Sequence, residues 1–128
     1  MAGRLTISTL NDDTGVLQTQ NGMRGIAKAW GSYALVGSGS VPTLNSAFNI
    51  SSITRNSAGN YTFAFTTAMP NANYAFTYSS GIYTPGNDSV VLNVKAKSTN
   101  SITVLIGYTS GGSIVGFDYG IDFNVSSS

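Results

Sequence analysis

Cysteine, histidine and glutamate are all missing from these 128 residues. Without a thiol there is no disulfide framework and no thiolate metal site. Without an imidazole the commonest general base and metal ligand is gone. Together these absences exclude a Ser-His-Asp triad, a Cys-His dyad and a zinc site within one chain. Charge is also scarce: Asp, Lys and Arg make up 9% of the residues, against roughly 25% in an ordinary globular domain. The six cations, Arg4, Arg24, Lys28, Arg55, Lys95 and Lys97, are scattered and leave a net charge of +1. Nucleic-acid binding needs a stripe of phosphate-neutralising charge, and none is visible. Apolar runs of a few residues fall far short of the ~20 that span a bilayer, so no membrane insertion is expected. No charged n-region followed by an apolar h-region opens the chain. The four Asn-x-Ser/Thr triplets, at Asn49, Asn60, Asn87 and Asn124, therefore read as products of composition rather than as glycosylation sites.

What the chain has instead is small and polar: Ser 18, Thr 14, Asn 12 and Gly 15. A length of 128 residues fits one domain, large enough to bury most of what its unfolded chain exposes. Such a surface is polar but barely charged. Either much of it is covered by sister chains, or it is a hydroxyl- and amide-rich surface of the kind common in extracellular and virion β-proteins; the two are compatible.

Helical periodicity is nearly absent, whereas period-two alternation recurs along the chain. Residues 1–23 differ from the rest, with two short apolar runs, Leu5–Leu10 and Val16–Thr19, separated by Asn11-Asp12-Asp13-Thr14-Gly15. They read as an arm that attaches or trimerises the domain through Arg4, Leu5, Ile7, Leu10, Val16 and Leu17, with residues 24–128 forming the domain proper. Residues 24–36 are extended, with Ile26, Lys28 and Trp30 facing opposite to Ala27, Ala29 and Gly31. Phe48, Ile50 and Ile53 precede an Asn-Ser-Ala-Gly-Asn turn, after which Tyr61, Phe63 and Phe65 alternate with Thr62, Ala64 and Thr66. Pro70 breaks the ladder, and Tyr74, Phe76 and Tyr78 resume it. Further strands are expected over 89–97, with Val90, Leu92, Val94 and Ala96 on one face, and over 102–108. Gly111-Gly112 marks a hairpin. A last strand should carry Val115, Phe117, Tyr119, Ile121, Phe123 and Val125 on one face. About eight strands with frequent turns imply an all-β fold, an antiparallel β-sandwich or jelly roll.

Few side chains are left to do chemistry. Asp118 and Asp122 share a strand face, but four residues of strand set their Cα atoms about 13 Å apart, whereas glycosidase carboxylates sit roughly 5–9.5 Å apart. A solvated face, paired across the sheet with Lys95 or Lys97, is the expectation. Asp12-Asp13 lacks the spaced pattern of a calcium loop and reads as a turn. Gly37-Ser38-Gly39-Ser40 reads as a flexible loop, since no Gly-Lys-Ser/Thr follows it. No cofactor or metal is expected. Aromatic side chains could stack on sugar rings, but Phe48, Phe63, Phe65, Phe76, Phe117 and Phe123 fall at alternating positions and are assigned to the core or a subunit interface. Tyr83, beside Pro85-Gly86, and Tyr108 lie nearer loop tips. With Asn87 and Asp88 they are the candidate receptor-contact residues.

Gly25-Ile26-Ala27-Lys28-Ala29-Trp30, then Ser46 through Asn56, Gly59 through Thr62 and Phe65 through Tyr74, resemble a domain found in tail fibres and small virion proteins of tailed bacteriophages and prophages. The resemblance spans about residues 24–78 and transfers no functional residue. It implies a non-enzymatic virion protein, homotrimeric like many fibre domains, partnered by other virion proteins and by a host-surface glycan or protein. A capsid decoration protein that stabilises the shell, and a free carbohydrate-binding module, are the alternatives.

Overall fold

Period-two alternation persists wherever a strand keeps one face on the core and the other on solvent. The computed structural model describes residues 27–34, 42–80 and 90–126, and within them the chain forms nine strands and no helix. They are β1 (Ala27–Ala34), β2 (Thr43–Phe48), β3 (Ile50–Ser57), β4 (Asn60–Phe65), β5 (Ala75–Ser80), β6 (Val91–Lys97), β7 (Ser101–Ser110), β8 (Ser113–Gly116) and β9 (Ile121–Ser126). Sheet A has the order β2-β1-β9-β5; sheet B has the order β3-β4-β7-β6, with β8 on the later residues of β7. Every pairing is antiparallel.

The inner faces of the two sheets meet through aromatic rings. Phe63 of β4 lies 4.7 Å from Phe123 of β9 and 5.6 Å from Tyr33 of β1, centroid to centroid. Around them Tyr61, Ile102, Val104, Ile106, Ile121 and Val125 are fully buried. Burial of each such side chain contributes roughly 1.5–3 kcal/mol.

Four expectations change once the strands are placed. First, Phe48, Ile50 and Ile53 do not share one strand. Asn49, at φ 57°, turns the chain out of sheet A into sheet B. Asparagine is among the few residues other than glycine that enter this left-handed region. Its side chain then fixes the corner: Nδ2 donates to the carbonyls of Lys28 and Thr67, and Oδ1 accepts from the Thr67 amide at 2.7 Å. A buried, engaged Asn49 cannot serve as a glycan acceptor. Second, residues 115–125 are also split. β8 belongs to sheet B and β9 to sheet A, and residues 117–120 carry the crossover. Val115 and Phe117 consequently remain 39% and 38% exposed rather than joining the core. Third, a bulge between Val94 and Ala96 shifts the register of β6. One extra residue flips every later side chain to the other face, so Ala96 pairs with Thr103 and Lys97 with Ile102. The Lys97 ammonium reaches the Tyr74 carbonyl and sits over its ring. Fourth, Phe48 pairs with Trp30 and lies with it on the outer face of sheet A, half-buried.

Asn49→Ala is expected to lower stability by about 3 kcal/mol, because it combines left-handed strain with unpaired buried carbonyl and amide groups. Asn49→Gly accepts the backbone angle and should recover about 1 kcal/mol of that loss. Urea unfolding of the three proteins measures both.

Candidate functional site

Asp118 holds the densest polar cluster among the described residues. It sits in the crossover between β8 and β9, and its side chain is 2% exposed. Arg55 of β3 grips it with two nitrogens, Nε at 3.1 Å and Nη2 at 2.8 Å. The Gly59 amide donates to it at 2.9 Å, and the Tyr61 hydroxyl makes a short bond to the same oxygen. Close backbone packing makes this possible: the Ile106 amide donates to the Gly59 carbonyl at 2.7 Å, and the Phe117 amide to the Ile106 carbonyl at 3.0 Å. Gly59, at φ +70°, leaves no room for a Cβ beside Ile106 and Phe117.

The solvated, Lys-paired Asp118 expected from alternation is therefore overturned. The crossover bends Asp118 inward, while Asp122 stays exposed on β9. Both residues of the ion pair left traces in the sequence. Arg55 falls two residues after Ile53, on the same face of β3, and Asp118 is enclosed by Phe117 and Tyr119.

Tyr33 packs against the Tyr61 ring, and its hydroxyl is buried without a hydrogen-bond partner. Burial raises its pKa far above the usual 10, and the neighbouring Tyr61 and Asp118 add to the effect. Tyr61 is raised likewise, first by burial and then by its bond to Asp118. The Arg55 guanidinium is held more firmly protonated by its hydrogen bonds to Asp118. The phenols are held protonated and the carboxylate is engaged by internal donors. The cluster locks β3, β4 and the crossover together.

Of the candidate contact residues, Tyr83, Asn87 and Asp88 lie outside the described residues, as do Arg4, Leu5, Ile7, Leu10, Val16 and Leu17 of the arm. Tyr108 lies within β7, half-buried, with its ring 6.3 Å from that of Phe117 in an edge-on contact. It lies beside the hairpin tip, where Gly111 and Gly112 both take positive φ.

A more open surface is the outer face of sheet A. Register aligns Phe48, Trp30, Asn124 and Thr77 in one row across β2, β1, β9 and β5. Ser46, Ser32, Asp122 and Ser79 form the next row. Strands about 4.8 Å apart and a two-residue step of about 7 Å make a platform roughly 14 Å by 7 Å. Trp30, 40% exposed, is its largest apolar group. A shallow recess of about 330 Å³ lies over β5 and β9, lined by Thr77, Tyr78, Ser79, Asp122, Phe123 and Asn124, and Asn124 pairs with Trp30 in register. Lys28, the only charged residue of β1, lies at a bulge and is 1% exposed, with its pKa lowered by burial. Alternation places Trp30 opposite Ala27, Ala29 and Gly31, but only the register of β9 and β5 sets polar side chains beside it.

No family model, curated protein or solved structure matches the chain.

Two outcomes follow for the buried cluster. Tyr33→Phe removes a buried hydroxyl without a partner and should raise stability at neutral pH by about 1 kcal/mol. Above about pH 10 the unfolded chain releases a phenolic proton that folded Tyr33 keeps, so stability is full below that pH and falls as pH rises. Tyr33→Phe should flatten this fall by about one proton, or ~1.4 kcal/mol per pH unit. Asp118→Asn, by contrast, should cost about 2 kcal/mol at neutral pH by breaking the charge-assisted bonds. Thermal melts between about pH 7 and 11 measure each effect.

Proposed function

We propose that this chain is a non-enzymatic structural protein of a bacteriophage virion, tail-fibre-like and homotrimeric, with residues 1–23 attaching a β-sandwich domain to other virion proteins. One observation carries the association. β2 and β5, at the two edges of sheet A, have one strand neighbour each among the described residues and contain neither charge nor proline. Monomeric β-proteins protect such edges with charged residues or proline. Here sheet B follows that rule, with Arg55 on β3 and Lys95 and Lys97 on β6, and sheet A does not. Edges left open in this way suit pairing with sister chains or with an added arm. The wording of residues 24–78 supplies the viral context. The internal satisfaction of Asp118 supports a structural rather than a catalytic reading.

Light scattering of the purified full chain should return three times the 13.3 kDa of one chain; a monomer overturns the trimer. Antibody labelling of virions should mark the tail. Label confined to the capsid shell assigns the chain to decoration instead, and unlabelled particles overturn the virion reading altogether.

A further inference from the structure

We infer that the outer face of sheet A binds a neutral saccharide chain, with Trp30 as the stacking surface and Asp122 and Asn124 as partners for sugar hydroxyls. The inference goes beyond the virion reading and stands without it.

Four observations converge. The chain has a single tryptophan, and it lies exposed in the interior of a four-stranded face, where the core makes no use of it. Indole offers a broad apolar surface and one N–H donor, which suits the mixed C–H and hydroxyl surface of a sugar ring. Asp122 and Asn124 flank the recess, and among the described residues neither side chain makes a hydrogen bond to the protein. A carboxylate and an amide each present two polar atoms in one plane, matching vicinal hydroxyls. Ser32, Thr77 and Ser79 complete a rim of hydroxyl groups in fixed register.

Charge selects the class of saccharide. Asp122 is the only charged side chain in the two rows, and Lys28 nearby is buried. A phosphorylated, sulfated or uronic-acid polymer would meet a like charge, and among the described residues no exposed cation lies in the two rows to offset it. A protein partner fits less well, because stable interfaces bury about 800 Å² per side around an apolar centre. This face offers one exposed indole and a half-buried Phe48 amid hydroxyls and amides.

Because Trp30 is the only tryptophan, its emission in the full chain reports the site directly. The probes are cellohexaose, maltohexaose, mannohexaose and chitohexaose, with hexagalacturonate as the anionic comparison. At least one neutral hexasaccharide should shift the emission to the blue and saturate, and hexagalacturonate should not. By calorimetry, Trp30→Ala and Asp122→Ala should each weaken binding of that probe by about tenfold or more, equivalent to about 1.4 kcal/mol, while Tyr108→Ala leaves it unchanged. Both altered residues are exposed, and circular dichroism checks that each variant folds; either variant suffices if the other does not. The inference is overturned by an unshifted emission with every neutral probe up to about 10 mM, ten times a 1 mM dissociation constant. Preference for hexagalacturonate, or binding that survives both substitutions, also overturns it. So does a loss of acrylamide quenching of Trp30 with rising protein concentration, which assigns the face to a second copy.

Discussion

One carboxylate ties the crossover between the two sheets to sheet B. Asp118 lies on the segment that carries the chain from sheet B to sheet A, and it binds β3 through Arg55, the β3–β4 turn through Gly59, and β4 through Tyr61. A buried carboxylate persists only where donors surround it, and three elements supply them here. Most of the rest follows from that anchor. β9 enters sheet A in the register that faces Phe123 toward Phe63, and Asp122 and Asn124 toward solvent. The aromatic seam and the outer platform are thus two sides of one strand whose start Asp118 fixes.

Asn49 plays the complementary part at the other crossover. There the chain passes from sheet A to sheet B at a single residue, and the side-chain amide ties the corner to β1 and to Thr67. In both places a short polar side chain with several hydrogen-bonding atoms replaces the apolar contacts that a sharp reversal cannot make. A fold with so little charge can afford few buried ionic groups, and the one ion pair recorded among the described residues sits where a crossover needs it.

The exposed surfaces divide along the same lines. Sheet B carries cations on both of its outer strands, whereas sheet A has uncharged edges and an outer face of hydroxyls, amides, one carboxylate and one indole. The virion reading uses the edges and the saccharide reading uses the face. The two meet at β5, an edge strand of sheet A whose Thr77 and Ser79 also line the recess.

Alternation in the sequence was enough to specify an all-β chain, the β3–β4 hairpin, the β7–β8 turn and most of the core, including Phe63, Ile102, Val104, Ile121 and Phe123. Those features depend on side-chain period and turn residues, which are local. Alternation could not show that two apparently continuous strands, one through Phe48, Ile50 and Ile53 and the other from Val115 to Val125, each change sheets midway. A one-residue corner at Asn49 and a four-residue crossover barely disturb a period of two. Nor could it show the bulge at Lys95, which exchanges the faces of Ala96 and Lys97. The pairing of Arg55 with Asp118, 63 residues apart, and the alignment of Trp30 with Asn124 and Thr77 were decided by the tertiary structure alone. Sequence distance carries no information about which strands become neighbours; that is set by how the two sheets close over a shared core.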